Sequence, residues 1–116
     1  MSEDGCIFCQ IVTGDTEAKI VYRDDEIVAF EDIRPVAPVH LLIIPTRHIP
    51  SLRELDAGGD SILIKLVHAA NRLAQEKGIH DQGYRININT GPNGGQTVYH
   101  LHLHLIGGRF MTWPPG

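Results

Sequence analysis

The chain has 116 residues, of which 42% are hydrophobic and 21% charged, and its formal net charge is −4. These values are typical of one globular domain of ordinary composition, and the length leaves little room for a second domain. The basic residues are scattered rather than gathered into the basic stripe that binds duplex nucleic acid, so we expect no duplex nucleic-acid partner.

No stretch of the sequence approaches the roughly 20 apolar residues that span a membrane. The N-terminus also lacks the charged region and the long apolar run of a secretory signal. Cys6 and Cys9 are only three positions apart, which makes a poor disulfide framework. We therefore expect no membrane association and predict a cytoplasmic protein, because the cytoplasm keeps thiols reduced.

The N-terminal half predicts one short helix followed by three strands. Residues 6–12 form a short apolar run before Gly14, which indicates a brief helix with a glycine stop. The runs that are rich in β-forming residues cover residues 20–22, 26–30 and 40–44. The first two flank Asp24 and Asp25, which favours a hairpin, and the third is almost wholly apolar, which favours a central strand.

The C-terminal half predicts a long helix and two more strands. From Ser61 to Lys77 the apolar residues follow a helical stripe, and Gly78 follows as a stop. Residues 84–89 and 98–106 alternate with period two and predict a fourth and a fifth strand. Residues 107–116 end in Trp-Pro-Pro-Gly and form a tail that cannot extend the sheet. Together these elements predict an α+β fold with a five-stranded antiparallel sheet, one long helix and one short helix.

His100, His102 and His104 alternate with leucines near the end of the chain. Because strand side chains point to opposite faces in turn, a strand would bury the leucines and align the imidazoles about 7 Å apart on the other face. Zinc ligation, a structural set of hydrogen-bonded histidines and nucleophilic catalysis all remain open, and we favour catalysis. In that interpretation the central imidazole attacks phosphorus while its neighbours set its tautomer and local charge. His40, at the start of the third strand, can join the cluster.

The segment of residues 89–97 precedes the histidines and contains three glycines. Glycines let the backbone approach an anion closely, with free amides and the Thr97 hydroxyl as donors. A plain turn between two strands explains the same residues, so the segment alone is a weak signal. Beside three histidines it favours phosphate as the ligand.

Asp32 follows the second predicted strand. A carboxylate there can accept both hydroxyls of a ribose, while Phe8, Phe30 and Ile33 can sandwich a base. The residues alone favour a simpler interpretation, in which the aspartate caps a loop between core residues.

Cys6, Cys9 and His48 form the remaining candidate cluster. A Cys-x-x-Cys pair is half of a tetrahedral zinc site and needs two more ligands from elsewhere in the chain. Two small buried hydrophobic residues on one helix explain the pair equally well. Both interpretations remain open at this point.

The segment of residues 100–106, His-Leu-His-Leu-His-Leu-Ile, resembles the signature of the histidine triad nucleotide-binding family. The resemblance covers essentially the whole chain as a single domain of residues 1–116. It includes Asp32, the Ala-Pro-Val-His segment of residues 37–40, and the Gly-Gly-Gln-Thr-Val-Tyr segment of residues 94–99. The Gly-Gly-Arg sequence and the terminal Trp-Pro-Pro-Gly of residues 107–116 are similar to the Hint branch of that family.

The resemblance implies a homodimer whose five-stranded sheets join, and hydrolysis of purine nucleoside phosphoramidates such as AMP joined to an amine. His102 would attack the α-phosphorus and form a nucleotidyl-histidine, which water then cleaves. The other catalytic residues implied are His40, Thr97, His100 and His104. The nucleotide-binding residues implied are Phe8, Phe30, Asp32, Ile33, Asn89, Gly95, Gln96, Thr97, His102, His104 and Trp113, the last reaching toward the partner protomer's site.

Family members with the Cys-x-x-Cys pair hold a structural zinc ion, which implies Cys6, Cys9, His48 and His100 as ligands here. Catalysis would need no cofactor. The chain departs from the Hint pattern at Thr97, where serine is common, and at Glu31, where histidine is common. Two alternatives remain: a dinucleotide polyphosphate hydrolase or nucleotidyl transferase that shares the His102 chemistry, and a non-catalytic, zinc-stabilised nucleotide-binding interaction protein.

Overall fold

A computed structural model describes residues 5–56 and 60–116 of the chain. Residues 1–4 and 57–59 of the predicted domain lie outside the described residues. The elements in chain order are α1 (Ile7–Thr13), β1 (Ile20–Arg23), β2 (Ile27–Glu31), β3 (Val39–Pro45), a 3₁₀ turn (Leu52–Glu54), α2 (Asp60–Glu76), β4 (Tyr84–Asn87) and β5 (Leu103–Gly107). The strands pair antiparallel in the order β1-β2-β3-β5-β4, which confirms the predicted α+β fold.

The sheet buries side chains on both faces. The first face packs against α2, whose apolar stripe contributes Leu66, Ala70 and Leu73. The strand residues of that cluster include Ala29, Leu41, Ile43, Leu103 and Leu105, and Leu101, just before β5, joins them. The predicted burial of the three leucines between the histidines is therefore confirmed. Among the described residues, no helix is long and apolar enough to cross a membrane.

The second face packs against α1. Phe8 and Ile11 of this helix join a cluster that includes Val28, Phe30, Leu42 and Ile44. Cys6 caps the helix, since its Sγ accepts a hydrogen bond from the Cys9 amide at 3.3 Å. Gly14 ends it with a φ of 88°, a left-handed conformation that suits glycine, so the predicted glycine stop is confirmed.

The fifth strand is shorter than its alternating pattern predicts. It begins at Leu103, so the expectation of a strand over residues 98–106 is wrong for residues 98–102. The last β3–β5 pair joins Ile43 to Leu103. Two residues further on, Pro45 offers no N–H to continue the ladder, and the Leu101 amide donates to the Ile49 carbonyl at 2.7 Å instead. His100 and His102 therefore lie in irregular backbone at the end of the sheet.

Other boundaries also differ from prediction, most of them by one residue. The fourth strand ends at Asn87 rather than at residue 89. The fifth continues to Gly107, the first residue of the predicted tail. A Cβ on Gly107 would lie 2.5 Å from Ile79 Cδ1, so the Ile79 side chain in the loop after α2 would have to shift to admit any larger residue at this strand position.

Candidate active site

A cavity of about 420 Å³ lies on the α1 face of the sheet. Phe8 and Phe30 meet edge to face in its wall, with ring centroids 5.4 Å apart. The other apolar wall residues include Ile7, Ile11, Ile33, Leu42 and Val98. The polar lining residues include Asp32, Thr97, His102 and His104. An apolar cavity with a few convergent polar groups suits a ligand with a flat apolar part and a polar head.

A second cavity of about 370 Å³ lies between α2 and the β1–β2 hairpin. Its lining includes Lys65, His68 and Arg72, and it contains none of the site residues predicted from the sequence. The chemistry expected of the triad therefore belongs to the α1 face.

His102 is held in one tautomer. Its Nδ1 lies 2.7 Å from the backbone carbonyl oxygen of His100, so Nδ1 carries the proton and donates it. The neutral ring then keeps the lone pair on Nε2. Burial lowers the pKa of His102 below its ordinary value, which favours the neutral, nucleophilic form near pH 7. The ring centroid of His104 lies 5.0 Å away.

His40 and His104 form a directed hydrogen-bonded chain. The Val36 amide donates to His40 Nδ1 at 3.2 Å, so the proton of the neutral His40 ring is on Nε2. That atom lies 2.9 Å from His104 Nδ1 and 3.3 Å from Asp32 Oδ2. Since His104 Nδ1 accepts, its own proton is on Nε2, a buried atom with no hydrogen-bond partner among the described residues. An unpartnered N–H next to His102 suits an oxygen of a bound anion.

Burial keeps this pair of imidazoles neutral. It lowers the pKa of His104 to about 4, with smaller contributions from His102 and His40. Burial likewise lowers the pKa of His40, opposed by the carboxylate of Asp32. The other oxygen of Asp32 accepts the Arg34 amide at 2.8 Å. The loop-capping role and the position at the cavity wall are thus combined in one aspartate.

A second cluster consists of Cys6, Cys9, His48 and His100, whose candidate ligand atoms all lie within 4.8 Å of one another. Sγ of Cys6 lies 3.4 Å from Nδ1 of His100. Sγ of Cys9 lies 3.3 Å from Nδ1 of His48 and 3.5 Å from Nδ1 of His100. Ligand atoms of a tetrahedral zinc site stand about 3.4–3.8 Å apart, so two thiols and two imidazoles at these distances fit zinc.

The tautomer of His100 also fits a metal ligand. Its Nε2 donates to the Pro45 carbonyl at 2.9 Å, which leaves the Nδ1 lone pair directed at the cysteines. Burial lowers the pKa of His100 to about 4, so the ring stays neutral and able to ligate. With both ring nitrogens engaged, His100 stands in the Cys/His cluster, whereas His102 and His104 line the cavity.

Four of the predicted nucleotide-binding residues lie outside the lining of the cavity. Gln96 is buried, accepts the Gly91 amide and donates to the carbonyls of Pro50 and Val98, so its side chain fixes the glycine loop. Gly95 lies in that loop with a φ of 80°. Asn89 accepts a hydrogen bond from Asn87 at 3.1 Å. Asn89, Gly95, Gln96 and Trp113 do not line the cavity, and Trp113 is 84% exposed.

The sequence analysis did not identify several groups that shape the site. The backbone groups that fix the histidine tautomers, from Val36 and Pro45, leave no signal in the side-chain pattern. Asn87 pairs with His104 across the sheet and donates to Asn89. Its position two residues before Asn89 on an alternating strand is the signal that could have indicated it.

The fold and the site define a class of protein. Its members are small α+β domains that carry imidazoles at the polar end of an apolar cavity and a Cys₂His₂ cluster beside that cavity. Comparison with known proteins identifies the family.

A family model described as "Scavenger mRNA decapping enzyme C-term binding" matches residues 5–113. The chain is 50% identical over 100% of both lengths to an uncharacterized HIT-like protein of Synechococcus elongatus. It is 45% identical to a 14 kDa zinc-binding protein of Brassica juncea, covering 95% of this chain and 98% of that protein. A crystal structure of a HIT family hydrolase from Legionella pneumophila matches with a TM-score of 0.95 and 48% identity, over 97% of this chain and 100% of that chain. The chain belongs to the histidine triad (HIT) family.

Proposed function

We propose that the protein is a purine nucleoside phosphoramidase. It hydrolyses the P–N bond of AMP joined to an amine and forms a nucleotidyl-histidine intermediate on His102. The observation that carries this proposal is the fixed tautomer of His102, whose Nδ1 proton is held by the His100 carbonyl at 2.7 Å. A neutral imidazole with a free Nε2 lone pair, at the polar end of an apolar cavity, is suited to attack on phosphorus.

Binding of the nucleotide divides between the two kinds of cavity wall. The purine base packs against the apolar residues, with Phe8, Phe30 and Ile33 around it. The ribose hydroxyls bind the carboxylate of Asp32. The phosphate lies at the His102 end, where the unpartnered Nε2–H of His104 donates to one of its oxygens.

In the first step, Nε2 of His102 forms a bond to phosphorus and the P–N bond breaks. The electron pair of that bond goes to the amine nitrogen, which leaves with a proton from a donor on the cavity wall. The Thr97 hydroxyl and the His104 N–H are the candidate donors. The His102 ring becomes cationic, and the His100 carbonyl at its Nδ1–H stabilises that charge.

In the second step, water attacks phosphorus and the N–P bond breaks, which returns the lone pair to His102 Nε2. The water releases a proton to the group that lost one in the first step, so the site returns to its starting state. The hydrogen bond from His40 to His104, at 2.9 Å, gives this proton a path between two rings. Neither step needs a cofactor.

We also propose that zinc occupies the Cys/His cluster, with Cys6, Cys9, His48 and His100 as ligands. A closed Cys₂His₂ site leaves no position for water, so the ion supplies structural stability. The Brassica juncea relative is named a zinc-binding protein, which supports zinc at this cluster. A cytoplasmic homodimer remains our proposal for location and assembly.

Hydrolase activity in general is supported by the Legionella pneumophila relative, which is named a HIT family hydrolase. A dinucleotide polyphosphate hydrolase or nucleotidyl transferase would use the same His102 chemistry. A non-catalytic, zinc-stabilised nucleotide-binding protein would use the same cavity without a covalent step.

Intact mass spectrometry after rapid mixing with adenosine phosphoramidate tests the proposal. We expect a transient mass increase of one adenylyl group, absent in His102→Asn and present in His68→Asn, whose altered histidine is exposed on α2. Turnover of the substrate with no adduct at any mixing time would exclude the covalent mechanism. Binding of AMP without turnover would favour the non-catalytic alternative.

A further inference from the structure

We infer that zinc in the Cys/His cluster and the purine base in the cavity bind cooperatively, because helix α1 forms part of both sites. The inference rests on the proposed function, since it takes AMP as the ligand of the cavity. It concerns a coupling between the two sites, and each site can exist without it.

Helix α1 presents different side chains to the two sites. Cys6 at its N-cap and Cys9 in its first turn belong to the Cys/His cluster. Ile7, Phe8 and Ile11 line the cavity. The residues of the two sites are interleaved along one short helix. A shift of the helix that changes one site therefore changes the other as well.

The helix is too short to hold its own position. It has 7 residues, and isolated helices of fewer than about 12 residues are marginal in water. Its geometry therefore depends on what it contacts. The apolar contacts of Phe8 and Ile11 with the sheet supply one part, and the Cys/His cluster supplies the other.

Phe8 is the residue on which both occupants act. Its ring centroid lies 5.9 Å from that of His100 in the Cys/His cluster and 5.1 Å from that of His102 in the cavity. It also lies 5.4 Å from Phe30, across the cavity wall. A metal that fixes Cys9 and His100 therefore fixes the ring against which the base packs.

The energetic consequence follows from the ordering of α1. Zinc restricts the helix, so a base that binds afterwards loses less conformational entropy when it packs against Phe8. Coupling between two ligands is reciprocal, so the base must raise the zinc affinity by the same factor. Typical couplings of this kind correspond to about 5–150-fold in affinity.

The position of α1 also predicts which part of the nucleotide increases the zinc affinity. The helix contributes only to the apolar part of the cavity, whereas Asp32, Thr97, His102 and His104 lie on other segments. Ribose 5-phosphate, which lacks the base, should therefore bind without increasing the zinc affinity. AMP should increase it.

The test measures zinc affinity by competition with a chromogenic chelator, without ligand, with saturating AMP and with saturating ribose 5-phosphate. Calorimetry gives the AMP dissociation constant of zinc-loaded and metal-depleted wild-type protein. We expect AMP to tighten zinc binding by about 5–150-fold, and zinc to tighten AMP binding by the same factor. An unchanged zinc affinity with AMP bound, or an equal increase with ribose 5-phosphate, would overturn the inference.

Two phenylalanines provide a matched pair of variants. Phe8→Leu should reduce the coupling factor, since it alters the ring on α1. Phe30→Leu, on β2 in the same cavity wall, should weaken AMP binding and reduce the factor less than Phe8→Leu does, because it leaves the ring on α1 in place. Equal coupling in both variants would contradict the role of α1. A failure of AMP to bind would contradict the proposed function itself, which is a distinguishable result.

Discussion

The backbone carbonyl of His100 accepts the Nδ1 proton of His102 at 2.7 Å, while the side chain of His100 faces the two cysteines. One residue thus supports the proposed nucleophile through its main chain and the proposed metal site through its ring. The three histidines of the motif consequently differ in their hydrogen-bond partners, although they share one pattern in the sequence. His104, the third, accepts a hydrogen bond from His40.

Replacement of His102 by asparagine should lower kcat by at least about 10³-fold, because the nucleophile of the covalent step is lost. AMP should still bind, since the apolar walls and Asp32 remain. Steady-state kinetics and calorimetry measure the two quantities, with His68→Asn as the control. Near-normal turnover in His102→Asn would contradict the mechanism.

The substrate preference should favour phosphoramidates over dinucleotide polyphosphates. The tail of residues 107–116 resembles the Hint branch, and the cavity offers one apolar compartment for one base. The measurement is kcat/KM for adenosine phosphoramidate and for a diadenosine polyphosphate on the same preparation. His102→Asn should abolish both activities if they share the nucleophile. A clear advantage for the polyphosphate would reverse the proposed branch.

Ribose recognition should depend on Asp32. Loss of a hydrogen bond to a charged group costs roughly 1–3 kcal/mol, so 2′,3′-dideoxy-AMP should bind more weakly than AMP. In Asp32→Asn that difference should shrink, because the charged acceptor is gone. Since Asp32 also contacts His40, the comparison of two ligands within each variant isolates the ribose contribution. Equal binding of both ligands to the wild type would contradict this role.

Purified protein without a histidine tag should contain about one zinc ion per chain, as a closed tetrahedral site requires. The double variant Cys6→Ser/Cys9→Ser should lose the metal and melt at a lower temperature, because metal binding contributes folding free energy. Thr13→Ala, an exposed position on the same helix, serves as the control. Native protein that takes up no zinc and keeps full stability would contradict the metal site.

The free energy of unfolding should decrease as the pH is lowered, because the buried imidazoles are then forced to protonate. His104 has its pKa lowered from 6.5 to about 4, so the unfolded state binds its proton first. Its contribution is therefore fully present above pH 6.5 and is lost toward pH 4, at most on the order of 3 kcal/mol. Denaturant unfolding of metal-free protein across this range measures the slope. His104→Gln should flatten it, and an unchanged slope would contradict the assignment.

Apolar patterning, β-forming residues and glycine stops together predicted the secondary elements, because α2 and the central strands β2 and β3 bury their apolar side chains. Periodicity extended the last strand by five residues because the histidines keep their alternation without a ladder partner beyond Leu103. Pro45, which ends the pairing, lies 58 positions earlier than Leu103 and gives no local sign of its effect. The pairing of His100 with the cysteines likewise depends on long-range contacts, which spacing does not encode.

Adjacent residues of strand β3 face either the core under α2 or the cavity, so mutations at neighbouring positions should affect either protein stability or ligand binding. Leu41 and Ile43 face α2, whereas Leu42 lies in the cavity wall on the opposite face. A saturation library over residues 39–45 would therefore give two interleaved phenotypes. Odd-numbered positions would report on protein abundance, and Leu42, between them, would report on ligand selectivity. Ligand preference can thus be changed at one position while its neighbours on either side stay fixed.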